Sequence, residues 1–194
     1  MMGYEKARLF AKAAHAAVGQ MRKYTDEPYI VHPVEVAGIV RYWGGTDTMC
    51  VAALLHDVLE DTKITYDILE DEFGVEVAQL VRWLTDVSRP SDGNRAARKA
   101  LDRQHIAEAP AEAQMIKVAD MISNTKSIVQ NDLDFAVVYL KEKKELLRVL
   151  TKVDSLMIAH AWEIVEEAER DIHFANLPVC SAQDAIDAIK EVKP

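Results

Sequence analysis

Cysteine, glycine and proline are all scarce in this chain of 194 residues, which holds two, seven and six of them. Two cysteines, Cys50 and Cys180, lie far apart in sequence and make neither a disulfide framework nor a zinc ribbon, so a reducing cytosol suits them best. Seven glycines and six prolines leave little punctuation for a turn-rich architecture. Basic residues are also short. Lys and Arg number 23 against 32 Asp and Glu, a formal charge of −9 and a pI near 5.2, which leaves no reservoir of cations for tracking a nucleic-acid backbone. An anionic ligand would therefore need a local exception. Long apolar runs are missing too: the longest, Met49 to Leu55, is far below the roughly 20 residues needed to cross a bilayer. The opening MMGYEKARLF mixes charges into its first turns instead of offering the apolar stretch of a signal peptide. The expectation is a cytoplasmic protein with neither nucleic acid nor membrane as partner.

What is abundant is apolar residue, 49% of the chain, enough to exclude disorder and to fill the single core usual at this length. These residues recur at spacings of three and four, the helical period, and no segment alternates cleanly with period two. Leu9, Ala13, Ala17 and Met21 suggest one stripe, Val36, Val40 and Trp43 a second, Val77, Leu80, Val81 and Leu84 a third, and Leu140, Leu147 and Leu150 a fourth. Helix starts are expected at Pro33, at Thr46 or Asp47, at Thr65 and at Ser181, with breaks at Gly44-Gly45, at Gly74 and in the loop from Arg89 to Asn94. The fold class is all-α, a compact multi-helix bundle. Residues 1–150 form its main body, and 151–194 continue as a helical extension packed on the same domain or on a second subunit, so a homo-oligomer stays open.

Four of the six histidines, His15, His105, His160 and His173, have no evident ligand partners in sequence and are given a structural or solvated place. His32 and His56 differ. His32 sits in Pro28-Tyr29-Ile30-Val31-His32-Pro33, at the mouth of a helix. His56 is followed by Asp57 at the end of the apolar run Val51 to Leu55, and Glu60 and Asp61 follow one turn later. Carboxylates entering an apolar helix need partners, and a metal ion would supply one. A third cluster lies in Met115 to Ile128, where Asp120, Ser123, Asn124 and Ser127 share one helical face opposite Ile116, Ala119 and Ile122. Two His and two Asp make a nitrogen-and-oxygen ligand set that suits Mn²⁺, Fe²⁺ or Zn²⁺. Such an ion can activate water and polarise a phosphoryl oxygen; a solvated helix end at His56-Asp57 and a surface helix at Asp120 are the plain alternatives.

The order His32, His56-Asp57, Asp120, with Arg22-Lys23, Glu27-Pro28-Tyr29-Ile30-Val31-His32-Pro33, Leu54 to Thr62 and Lys117-Val118-Ala119-Asp120 followed by Asn124, resembles the HD-domain hydrolase half of the RelA/SpoT alarmone family. The small stand-alone members, including the metazoan SpoT homologue, are nearest in size. The resemblance implies an all-helical HD-type bundle that binds Mn²⁺ and hydrolyses the 3′-pyrophosphate of ppGpp or pppGpp. It implies His32, His56, Asp57 and Asp120 as metal ligands, and Glu60 and Asp61 as the groups that position or deprotonate water. Arg22, Lys23, Asn124 and Ser127 would face the nucleotide. Arg98 and Lys99 belong to a basic stretch between Arg89 and Arg103 that would approach its phosphates, the local exception that the overall charge demands. The chain departs from the family pattern in the loop Tyr24 to Pro28, one residue longer than usual, and in the spacing of His15 from Gly19-Gln20. It departs again at Met121, Ile122 and Thr125 after Asp120. The alternatives are another phosphorylated nucleotide, such as NADPH at its 2′-phosphate or a nucleoside monophosphate, or a non-catalytic nucleotide-binding module. No synthetase domain follows, so synthesis of the alarmone is not expected.

Overall fold

The computed structural model describes residues 2–175, and every regular element among them is helical. In chain order these are α1 (Met2–Ala17), α2 (Val31–Tyr42), α3 (Asp47–Leu55), α4 (Val58–Asp61), α5 (Tyr66–Phe73), α6 (Val75–Leu84), a 3₁₀ turn at Pro90–Asp92, α7 (Arg95–Glu108), α8 (Ala111–Asn131), α9 (Leu133–Leu147) and α10 (Ser155–Ala175). Extended pairing among the described residues is a single antiparallel bridge between Met21 and Pro28. The expected helix start at Ser181, and Cys180, lie outside the described residues.

The apolar run that is too short for a membrane is the centre of the core. Every residue from Met49 to Leu55 is buried, and α3 packs against α1, α2 and α6. A helix apolar all round can only be placed this way. Thr46 starts it by accepting the Met49 N–H at 3.2 Å, and Asn94 and Asp132 cap α7 and α9 in the same manner. Val77, Leu80, Val81 and Leu84 are buried as their spacing predicts. Gly74, at φ +84°, ends α5 and opens α6, a left-handed conformation that suits glycine. Helix α8 runs beside α2, α9 and α10, burying Ile116, Ala119 and Met121; α10 closes the bundle with Met157, Ala161 and Val165. No helix among the described residues is long and apolar enough to cross a membrane.

The α1 stripe needs correction. Leu9 and Met21 are exposed, as are Ala13 and Ala17, and the buried face is Ala7, Ala11 and His15. Two alanines let α1 lie close against α3, a contact that large side chains would prevent.

Candidate metal centre

Three chain segments bring the four expected ligand residues close together. The turn Pro28-Tyr29-Ile30 winds directly into α2, with the Val31 N–H donating to the Pro28 carbonyl and the His32 N–H to that of Tyr29, which buries His32 at the helix entrance. His56 and Asp57 are not successive residues of one helix, as the sequence suggests. Helix α3 stops at Leu55, His56 caps it, and Asp57 leads into α4. The pair therefore occupies a corner, and both side chains turn toward His32. Asp57 Oδ2 lies 2.9 Å from His56 Nε2 and 3.8 Å from His32 Nε2, and the ligand atoms of all three residues fall within 4.8 Å of one another. Asp120 arrives from the middle of α8, with Oδ1 3.1 Å from His32 Nε2 and 3.7 Å from His56 Nε2.

The surrounding hydrogen bonds assign the tautomers. Ser123 donates its hydroxyl proton to Glu35 at 2.9 Å, so at 3.0 Å from His32 Nδ1 its oxygen accepts. The His56 Nδ1 lies 2.8 Å from the Ala53 carbonyl, which can only accept. Both imidazoles thus donate from Nδ1 and aim Nε2 at the carboxylates, and His56 Nε2 is buried without a hydrogen bond of good geometry. Without a proton on Nε2, two lone-pair nitrogens and two carboxylates would face one another here. That arrangement is repulsive unless a cation sits in it, and the nitrogen-and-oxygen donors, each held from behind, fit a divalent transition metal.

The electrostatics show that a proton can take the place of that cation. Burial works against a charged imidazole at His56, yet Asp57 and Asp120 outweigh it and hold its pKa well above the usual value. Burial alone would raise Asp57, but His56 and His32 draw it down to about 2. Asp120 likewise ends well below the ordinary range, held there against burial by His32, His56 and the Lys117 ammonium at 3.7 Å. Asn124 donates to Asp120 at 2.7 Å, and Tyr29 donates its phenol to Asp57 at 2.5 Å. Burial and the Asp57 charge push the Tyr29 pKa far up, so this donor keeps its proton.

Glu60 and Asp61 stand on α4 just past this cluster. Burial and the neighbouring Asp86 push Glu60 up to about 7, and its carboxylate accepts the Asp86 N–H at 3.3 Å. Asp61 accepts from Gln20 at 2.8 Å, and Gln20 in turn accepts from His15 Nδ1 at 2.7 Å. His15 is therefore a buried support of the site, its ring 4.6 Å from that of Tyr29. Sequence reasoning passed over it, together with Gln20, Tyr29, Glu35 and Lys117. The signal for Tyr29 was present in its place three residues before His32; Glu35 offered none beyond its spacing.

The structure gathers four of the six expected nucleotide contacts into one cleft of about 290 Å³, lined by Arg22, Lys23, Asn124 and Ser127 together with Tyr24 and Phe135. Arg22 donates to Asn124 at 3.3 Å, and Lys23 lies over the rings of Tyr24 and Phe135. The lengthened loop folds on itself through the Met21–Pro28 bridge and an Arg22 N–H to Glu27 carbonyl bond of 2.9 Å, with Asp26 at φ +53°. Lys99 is elsewhere, paired with Asp86 at 2.6 Å in a cavity behind Lys117. Arg98 makes no described contact with the ligand cluster; its Nε is buried without a partner.

Residues 7–164 match the family model described as HD domain. Among curated relatives, a protein of Synechocystis named a probable guanosine-3′,5′-bis(diphosphate) 3′-pyrophosphohydrolase is 36% identical over 126 residues, 63% of this chain and 16% of its own length. The guanosine-3′,5′-bis(diphosphate) 3′-pyrophosphohydrolase of Aquifex aeolicus is 31% identical over 171 residues, 85% of this chain and 23% of its own. The chain thus spans about a fifth of the length of these curated relatives. A solved metazoan ortholog of SpoT, described as hydrolysing ppGpp, superposes with a TM-score of 0.76 at 26% identity, covering 86% of this chain and 96% of the other.

Proposed function

The chain belongs to the HD domain family, and from that membership we propose that it is a metal-dependent hydrolase that removes the 3′-pyrophosphate of ppGpp or pppGpp, leaving GDP or GTP. The observation that carries this reading is the convergence of the Nε2 atoms of His32 and His56 with the carboxylates of Asp57 and Asp120. Manganese is the proposed ion, suited to a ligand set without thiolate. When bound, such an ion polarises a phosphoryl oxygen and makes water more acidic. The chain's own groups do the rest. Glu60, with a pKa near neutrality, takes the proton of the attacking water. Asp61, tethered through Gln20 to His15, fixes that water's direction. Tyr29 and Asn124 hold Asp57 and Asp120 in place through their donated hydrogen bonds.

The nucleoside enters the cleft between Arg22, Lys23 and Phe135, where a flat base finds an aromatic ring and cations. The substrate names attached to the relatives favour guanosine, and the basic residues around Lys99 and Lys117 favour a substrate with several phosphates. The cytoplasm is the proposed location, where a thiol such as Cys50 stays reduced.

The test is incubation of Mn²⁺-loaded protein with ppGpp and separation of the products. Stoichiometric pyrophosphate and GDP are expected, with both activity and bound metal lost in His56→Ala and Asp57→Ala. Intact ppGpp after long incubation with folded, loaded protein would sink the proposal. Release of phosphate from NADPH or from a nucleoside monophosphate in the same panel would move the metal chemistry to that substrate.

A further inference from the structure

Beyond Lys117 lies a second, narrower cavity that the reaction as described leaves unused. It is bounded by the end of α6, by α7, α8 and α9, and holds about 50 Å³, room for about four waters or one tetrahedral anion, too little for a nucleoside. Lys117 joins it to the metal centre: the side chain lines the cavity, and its ammonium stands 3.7 Å from Asp120 Oδ2. Asp86 joins them a second time, since it lines the cavity while its N–H holds Glu60.

The carboxylates around this cavity already have partners. Arg95 grips Glu142 with two bonds of 2.7 and 2.8 Å. Lys99 neutralises Asp86. Asp102 accepts from the N–H groups of Val87 and Ser88 and from the Ser88 hydroxyl. Lys143 is different. Among the described residues it forms no ion pair, and its ammonium rests 4.8 Å from the centre of the Tyr139 ring. Burial pushes its pKa down to about 8. An ammonium drawn partly out of water with no ion pair, favoured only by the more distant charges of Asp120 and Asp86 and by an aromatic face, is an expensive arrangement, and an anion in the cavity would relieve it.

We propose that this cavity is an anion subsite for the distal phosphate of the group cleaved at the metal centre, with Lys143 as the cation that positions it. The inference rests on the pyrophosphohydrolase reading and deepens it. Hydrolysis joins the water oxygen to the phosphorus carried by the 3′ oxygen and breaks the bond between those two atoms. The 3′ oxygen leaves with a proton, and the released anion retains both phosphorus atoms. A site that releases pyrophosphate must therefore hold a second phosphate group next to the one attacked. Lys117 and Lys143 span that step, one beside Asp120 and one in the cavity. A compact ammonium suits a single phosphate in so small a space better than a guanidinium fork.

Calorimetric titration of the Mn²⁺-loaded full chain with inorganic pyrophosphate and with inorganic phosphate tests the subsite without turnover. Wild type should bind pyrophosphate more tightly than phosphate. Lys143→Ala and the better-packed Lys143→Met should each weaken pyrophosphate by about tenfold to a hundredfold, the worth of a bond to a charged group, and erase most of its advantage over phosphate. Lys143→Arg should recover part of it. In turnover, the preference for a 3′-diphosphate over a 3′-monophosphate nucleotide should fall in the same variants, chiefly through KM. Folded, metal-loaded Lys143→Met that binds pyrophosphate as tightly as wild type overturns the subsite, even if ppGpp is hydrolysed. Lys143-dependent pyrophosphate binding in a protein that leaves ppGpp intact supports the subsite and overturns the substrate reading instead.

Discussion

Two side chains decide how the site would work, and each can be tested alone. Glu60 is raised to about 7, because burial and Asp86 both disfavour its charge, while its neighbour Asp61 is raised as well, by burial above all. Acting as a base, Glu60 must be ionised, so kcat should fall as the pH drops below its pKa of about 7, or below a lower value once a bound cation draws it down. Glu60→Gln should cut kcat by about 10²- to 10⁴-fold and abolish that acid limb while metal content is unchanged. A variant that keeps the limb would assign it to another group. Ser123 acts at one remove. Its oxygen holds the His32 Nδ1 proton, and its own proton goes to Glu35. Ser123→Ala should weaken metal binding by about 10- to 100-fold, read by competition with a chelator. Unchanged affinity would mean that His32 is oriented by packing alone.

At the scale of elements, the site depends on the corner that joins α2 to α3, since one helix carries His32 and the other ends at His56. Gly45 makes this corner tight. Its N–H donates to the Val40 carbonyl at 2.8 Å, and a β-carbon added there would run into the Val40 side chain and sit 2.8 Å from that carbonyl oxygen. Gly45→Ala should cost about 1–3 kcal/mol, measured by denaturant unfolding, and should weaken metal binding along with it. Lost stability with metal affinity intact would uncouple the corner from the site. Much of this layout was legible beforehand. The α6 stripe and the Thr46 cap follow from period and capping chemistry, and the proposed ligands stood out too, His56-Asp57 as polar groups ending an apolar run and His32 at a helix mouth. The α1 face was misjudged because alanine carries little hydrophobic signal, although Ala7 and Ala11 are what allow close approach to α3. The corner at His56-Asp57 was hidden because nothing in Leu55-His56-Asp57-Val58 breaks a helix locally. Tertiary pull toward His32 and Asp120 does so. The His15–Gln20–Asp61 chain was invisible for a similar reason: it links α1 to α4 across the fold, and sequence spacing reports only neighbours within one element.

For the whole molecule, the net charge of −9 is less telling than where a part of it is held. Without metal the ligand cluster is held together by a proton, and that makes stability depend on pH in a defined direction. His56 has a pKa raised above 6.5 on folding, so its contribution is complete below 6.5 and disappears as the pH climbs through the raised value. Asp57, lowered from 3.8 to about 2, contributes above 3.8 and loses its contribution as the pH falls toward 2. The metal-free protein should therefore weaken on the alkaline side, where two bare imidazole nitrogens face two carboxylates with nothing between them. A divalent cation replaces the proton and does not titrate away there; its binding to the acidic-side form must also displace that proton. The rise in Tm on adding Mn²⁺ should accordingly be larger at about pH 8.5 than at about pH 6. Its size should approach that of about 2.7 kcal/mol when free metal reaches about a hundred times Kd. Asp57→Asn should shrink the rise and flatten its dependence on pH. Equal gains at both pH values would mean that the metal does not take the place of the His56 proton, and that the cation sits somewhere other than between His32, His56, Asp57 and Asp120.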